Sequence, residues 1–243
     1  MSSTTEIPGH KPIVAQDAIA EDSSTNRLLD HNQTILQQQF TDKANIANFQ
    51  PTSSTSSESK RKVYYFAYGS NLSPTQMHLR CEHDPSTSGR PLAIARIDRW
   101  RWLICERGYA NIIPPKEWRI GRQSDVVFGV LYEMTPEDEY LLDGYEGVDH
   151  SAPASQYGNK IPTAIRPREQ DNGAYNKWYV PAKVTKWLVT EEGQEEDVTV
   201  LVYVDEKRVT VGPPKFEAIK ESLELGMPRS WVESVMRKAI PES

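Results

Sequence analysis

A mixed α+β domain, a barrel-like sheet flanked by helices, is the fold class that this 243-residue sequence predicts for residues 61–243. Three observations carry it. Five apolar or alternating runs with strand character follow one another between residues 63 and 205. Helical segments with recognisable caps are interspersed among them and close the chain. The composition also changes near residue 60, so that almost all aliphatic clustering lies beyond it. The roughly 180 residues after that boundary suffice for one core.

Residues 1–60 are rich in Ser, Thr, Gln, Asn and Asp, and end in a Ser/Thr run from Pro51 to Lys60. They carry too little apolar surface to offset chain entropy, which predicts a disordered tail. Within it Leu28, Leu29, Ile35 and Phe40 outline a weak amphipathic helix near 26–40, marginal in isolation at that length.

The first strand is expected at Val63 to Ala67, where aromatic and small apolar residues alternate too little to leave a wet face. Gly69, Ser70 and Asn71 break it. Ser73 as N-cap, Pro74 at the first helical position and Gln76 closing a capping box then open a helix. A strand that ends in a Gly-containing turn and leads into a helix leaves backbone N–H groups converging on one point, a place to hold a carboxylate or an oxyanion. Residues 91–106 read as one half-buried strand, with Arg99 and Arg101 alternating against Trp100 and Trp102. A third strand is expected at 126–134. Thr135 and Pro136 then cap a helix with Glu137, Asp138 and Glu139 in its first turn, where acids suit the helix dipole. That helix is expected to run out at Gly144, leaving Glu146 as a loop carboxylate near Gly144 and Gly147. Strands follow at about 178–189 and 197–205. At the C-terminus Phe216, Ile219 and Leu223 share a helical face that Gly226 ends, and Ser230 to Glu233 reads as a capping box opening a last helix that stops at Pro241.

A net charge of −6 and a pI near 5.5 argue against a nucleic-acid surface. Cys81 and Cys105 are the only cysteines, so neither a disulfide framework nor a cysteine zinc site is expected, and a reducing, cytoplasmic setting fits. No apolar run approaches the roughly 20 residues that cross a bilayer, and the N-terminus shows no secretory signal, so no membrane partner is expected. Walker A, Gly-x-Gly-x-x-Gly, His-Glu-x-x-His and Gly-x-Ser-x-Gly patterns are all missing from the sequence. His78 and His83 lie five apart without further ligands, and no metal site is expected.

What remains is the turn at 68–72 and Glu146. Either alone is ambiguous: such a turn is often only a connection, and a loop glutamate is usually a solvated carboxylate. Together they resemble a known family. Tyr65-Phe66-Ala67-Tyr68-Gly69-Ser70-Asn71-Leu72 is similar to the signature of the γ-glutamylcyclotransferases, and Met77-His78-Leu79-Arg80 continues the likeness. Leu142-Asp143-Gly144-Tyr145-Glu146-Gly147-Val148 sits where that family carries its catalytic glutamate. Gly212 to Phe216 and Leu225 to Pro228 resemble further family landmarks, so that the likeness spans about 62–240.

The resemblance implies a γ-glutamylcyclotransferase-like fold and a cofactor-independent reaction. A γ-glutamyl compound cyclises to 5-oxoproline and releases its amine, with Glu146 as general acid/base and residues 65–72 binding substrate. The only partner implied is this small molecule, and the oligomeric state, a homodimer included, stays open. Intramolecular attack can be worth effective molarities on the order of 10⁵–10⁸ M. Two features depart from the pattern. Phe216 stands where members often carry tyrosine, and the stretch 149–177, which adjoins Glu146, is longer than expected and reads equally as a lid or as a surface insertion. A γ-glutamyl dipeptide, a glutathione conjugate such as fungal relatives process in sulfur-containing toxin pathways, and a γ-glutamylamine all remain open as substrates. So does a non-catalytic binding module of the same fold.

Overall fold

The computed structural model describes residues 63–115, 125–155, 164–190, 196–214 and 219–241. The expected tail at 1–60, its weak helix and Phe216 lie outside them. In chain order the described elements are β1 (Val63–Ala67), a 3₁₀ turn (Ser70–Leu72), α1 (Pro74–Arg80), α2 (Pro85–Ser88), β2 (Pro91–Asp98), β3 (Arg101–Ile104), β4 (Ala110–Ile113) and β5 (Val126–Tyr132). There follow α3 (Pro136–Glu146), β6 (Asn176–Trp187), β7 (Asp197–Val204), α4 (Ile219–Leu225) and α5 (Arg229–Trp231), which runs on into a π-helical turn at Val232–Met236.

The sheet closes as a barrel in the order β1–β5–β2–β6–β7, and β7 returns to lie parallel to β1 while the other described pairs are antiparallel. The α+β class and the barrel-like sheet are therefore as the sequence predicts. Closure removes the open edges that would otherwise invite pairing with other chains. Phe66, Ile94, Leu131 and Leu201 are fully buried in the core. At Gly129 on β5 a Cβ would come within 2.5 Å of the Phe66 ring and the Ala67 carbonyl, so only glycine lets β1 and β5 approach this closely.

Three expectations are corrected. The single strand expected over 91–106 is two: β2 ends at Asp98, Arg99 turns with φ of 71°, and β3 pairs instead with β4 as a separate hairpin. The break shows in the fold as a slip of one residue, Asp98 and Arg99 both being exposed, in a pattern that otherwise alternates; Trp100 and Trp102 are buried and Arg101 is exposed. Packing explains the turn. Trp102 donates its indole N–H to the Tyr68 carbonyl at 2.9 Å, and Trp100 meets Trp178 edge-on at 5.8 Å.

The helix expected to stop at Gly144 continues to Glu146, and Gly147 caps it in the left-handed region with φ of 64°. The Gly147 N–H reaches the Asp143 and Gly144 carbonyls, which closes the last turn. Gly144 is an ordinary helical glycine with open space beside it. At the C-terminus Ser230 lies inside α5 and caps nothing; Pro228 is the N-cap, and the indole N–H of Trp231 on the Val126 carbonyl, at 2.8 Å, fixes where the helix starts. No described helix is long and apolar enough to cross a membrane.

Candidate active site

A cavity of about 320 Å³ opens where β1 gives way to the 3₁₀ turn. Six pieces of chain build it: the end of β1 with the turn, the end of α1 at Arg80, the last turn of α3 with its cap, the β3–β4 hairpin, the segment leading into β6, and β7 at Tyr203. Of the residues singled out from the sequence, Tyr65, Tyr68, Gly69, Ser70, Asn71 and Glu146 line it. Phe66, Ala67 and Leu72 do not; all three are fully buried and face the core.

Ser73 caps α1 by accepting the Gln76 backbone N–H at 3.0 Å. The Gln76 side chain does not complete the expected capping box. It donates instead to Oδ1 of Asn71 at 3.0 Å. The same oxygen accepts from Nη1 of Arg80 at 2.7 Å. On its other side Nδ2 of Asn71 donates to the Tyr65 hydroxyl oxygen at 2.8 Å and to Oε1 of Glu146 at 3.1 Å. Both acceptor directions and both donors of this buried amide are thus used, and its orientation is fixed. The Tyr65 hydroxyl accepts from Asn71, which leaves its own hydrogen free to donate into the cavity. Within the turn the Leu72 and Ser73 N–H groups close back on Gly69 and Ser70, whereas those of Ser70 and Asn71 have no partner among the described residues.

Glu146 is the last residue of α3 and only 17% exposed. Its Oε1 also meets Nη1 of Arg80 at 3.4 Å. Burial pushes its carboxyl above the ordinary glutamate range, against the pull of Arg80 and the Asn71 hydrogen bond in the other direction. Burial, with Glu146 close by, likewise keeps Tyr65 a protonated phenol.

Behind Glu146 on the same helix lies a second cluster that the sequence reading passed over. Glu139 and Asp143 are buried, and Lys177 on β6 bridges them at 2.6 and 3.1 Å. The Tyr203 hydroxyl donates to Asp143 at 2.7 Å, and His150 stands 3.3 Å from it. Burial raises Asp143 to about 6, partly offset by Lys177, and lowers His150 to about 4. Tyr203 also lines the cavity, so this network backs its wall.

No protein-family model and no curated protein matches the chain. Solved structures do resemble it. A protein described as a gamma-glutamyl cyclotransferase is 20% identical at a TM-score of 0.47, over 71% of this chain and 85% of its own. An uncharacterized protein from Homo sapiens is 22% identical at 0.46, with the same coverage. YkqA from Bacillus subtilis is 19% identical at 0.46, over 74% of this chain and 54% of its own. At these scores the likeness carries no functional argument by itself.

Cavity-lining groups that escaped the sequence reading include Arg80 as a partner of Glu146, Arg107 and Tyr109 in the β3–β4 connection, Tyr175 before β6 and Tyr203 on β7. A signal existed for the helix. Glu139, Asp143 and Glu146 are spaced four and three apart, which puts three carboxylates on one helical face once the helix is extended to 146. Arg107 had none, because its position depends on the hairpin that replaced the expected single strand. The long stretch 149–177 contributes Ala174 and Tyr175 to the lining, and Tyr175 donates to the Ala110 carbonyl at 2.7 Å. Its described parts are tied down by the Arg166 pairs with Glu169 and Glu206 and by a bridge between Ile165 and Tyr179. The remainder, 156–163, lies outside the described residues.

Proposed function

We propose that this protein is a γ-glutamylcyclotransferase, in which Glu146 moves a proton between two nitrogens of one substrate and Tyr65 with residues 68–71 holds the glutamyl unit. One observation carries the reading: a carboxylate raised by burial stands in the same small cavity as a turn with unused backbone N–H groups and a phenol with a free hydrogen. The sequence motif that resembles this family occupies the same wall.

The chemistry follows from what each group can do. The α-amine of the glutamyl unit, in its neutral form, attacks the γ-carbonyl and forms the new C–N bond of a five-membered lactam. Glu146 takes a proton from that nitrogen and delivers it to the leaving nitrogen as the old C–N bond breaks. The products are 5-oxoproline and a free amine, and the amine takes up from solvent the proton that the ammonium gave up before attack. The N–H groups of Ser70 and Asn71 with the Tyr65 hydroxyl supply donors for the substrate carboxylate and the developing oxyanion. Asn71 and Arg80 hold Glu146 in place. No step needs a cofactor. A cytoplasmic enzyme acting on γ-glutamyl dipeptides or glutathione conjugates, including those of sulfur-containing toxin pathways, is in keeping with this site.

The test is product formation. Wild type should release 5-oxoproline from γ-glutamyl dipeptides, and Glu146→Gln should lower turnover about 10²–10⁴-fold while staying folded. Normal turnover by folded Glu146→Gln protein refutes the mechanism, and ligand binding without product in wild type would favour a non-catalytic module.

A further inference from the structure

We infer that the Tyr203 hydroxyl, with Asp143 behind it, accepts the proton that the substrate's α-ammonium gives up before attack. The inference rests on the cyclotransferase reading and deepens it. Ring closure takes two protons from the α-nitrogen, one to free its lone pair and one after the new C–N bond has formed. Glu146 carries the second to the leaving nitrogen, and a single carboxylate holds one proton at a time. The first proton needs another acceptor, and that acceptor must be reached from the same cavity.

Two phenols of the cavity wall differ in what they can offer. The ring centres of Tyr65 and Tyr203 lie 5.6 Å apart in an edge-on contact, and both residues line the cavity. The Tyr65 oxygen accepts from Asn71 at 2.8 Å, so its hydrogen is what remains for a ligand. In Tyr203 the order is reversed. Its hydrogen goes to Oδ1 of Asp143 at 2.7 Å, and its oxygen keeps lone pairs to offer. A carbonyl or carboxylate oxygen pairs with the first kind of phenol. An ammonium, which can only donate, pairs with the second. Burial, with Asp143 close by, keeps Tyr203 protonated, so it passes a proton on rather than holding a charge.

Asp143 is placed to take what Tyr203 passes on. It is faced by Tyr203 from β7, by Lys177 from β6, by Glu139 one turn earlier on α3 and by His150 beyond the helix. Lys177 is divided between Glu139 and Asp143, at 2.6 and 3.1 Å, so its charge does not hold Asp143 ionised as an undivided pair would. Burial works in the same direction and brings Asp143 up to about 6. In the transfer an N–H bond of the ammonium breaks as an O–H bond forms on Tyr203, and the original hydrogen of Tyr203 passes to Oδ1 of Asp143. The substrate is left with a neutral amine, Tyr203 is unchanged and Asp143 is neutral. The other oxygen, Oδ2, stands 3.3 Å from Nε2 of His150, whose side chain is 23% exposed. The proton returns to water on that side, while the released amine takes one up.

The experiment follows 5-oxoproline release from γ-glutamylalanine by wild type and Tyr203→Phe across pH, with and without added imidazole, and checks folding by the unfolding midpoint. Tyr203→Phe keeps the ring and its packing and removes only the hydroxyl. Its kcat should fall about 10²-fold near neutral pH, the lower end of what acid–base groups contribute. The deficit should shrink as pH rises past the α-amino range of about 8, where solvent supplies the neutral amine. Imidazole, as an external base, should recover part of the loss. Asp143→Asn, whose amide cannot take the proton, should show the same pH-dependent and imidazole-sensitive deficit; if it fails to fold, Tyr203→Phe decides alone. A folded Tyr203→Phe protein with wild-type turnover, or with a deficit that neither pH nor imidazole relieves, would overturn the inference while the cyclotransferase reading stood. If wild type yields no 5-oxoproline, both fall.

Discussion

Asp143 and Glu146 are carboxylates of the same helix, one turn apart, and the fold gives them opposite surroundings. Asp143 is sealed: Lys177, Tyr203 and His150 surround it, and none of its side-chain surface meets water. Glu146 faces a cavity, with one guanidinium at 3.4 Å and one amide on a single oxygen. Burial raises both. In the inner site the charge of Lys177 is shared with Glu139, so the cost of desolvation is answered by a built-in cation. In the outer site the answer is partial, and a carboxylate that can both lose and take a proton is left facing the cavity. One face of a helix can thus hold carboxylates in different environments if successive turns meet different neighbours.

The comparison is broken most severely at its inner half. Lys177→Met strands two buried carboxylates and should cost about 3–5 kcal/mol in a denaturant titration, whereas Glu146→Gln should leave the unfolding midpoint close to wild type. A Lys177→Met protein as stable as wild type would show that the inner cluster is not an ion-pair core. Gly147→Ala probes the joint between α3 and the chain beyond. It forces a left-handed alanine, and its Cβ would lie 3.0 Å from that of Ala174. A loss of about 1–2 kcal/mol is expected, with reduced turnover because Glu146 precedes the cap.

A finer test moves the outer carboxylate without removing it. Because Arg80 holds Glu146 down, Arg80→Gln should raise it further, and the acid limb of the kcat/KM profile should shift to higher pH. The wild-type limb should itself lie above the ordinary glutamate value of 4.5. The smallest effect concerns His150, which folding holds neutral down to about 4 against an ordinary value of 6.5. Between those values the unfolded chain binds the extra proton, so the contribution of His150 is full above pH 6.5 and lost as pH falls toward 4. Asp143, raised to about 6, acts in the opposite sense over much of that window. Melting temperatures of wild type and His150→Gln should therefore separate progressively from pH 4 to 6.5, the variant falling behind as pH rises.

Local signals were legible where they were self-contained. The buried strand at 63–67, the Ser73 and Thr135 N-caps, Pro74 and Pro136 at first helical positions and the α+β class all follow from residue type and spacing. Asp138 shows the limit of such reading. As a first-turn acid it suits the helix dipole, yet in the fold its carboxylate also accepts the backbone N–H groups of His83 and Asp84, both at 2.9 Å, and so ties the start of α3 to the segment between α1 and α2. The missed turn at Arg99 is of the same kind, since only one extra exposed residue, in an otherwise alternating run, marks it.

By itself the sequence determined that a strand, a Gly-Ser-Asn turn and a capped helix follow one another, and that a glutamate stands near a helix-ending glycine some 75 residues on. Tertiary structure alone decided that the two meet, that Asn71 and Arg80 fix Glu146, that Phe66, Ala67 and Leu72 turn away from the cavity, and that Arg107 faces it. The reason is physical. Strand and cap preferences act over a few residues through backbone geometry, whereas barrel closure is a long-range condition that sets which side chains share a solvent-shielded space.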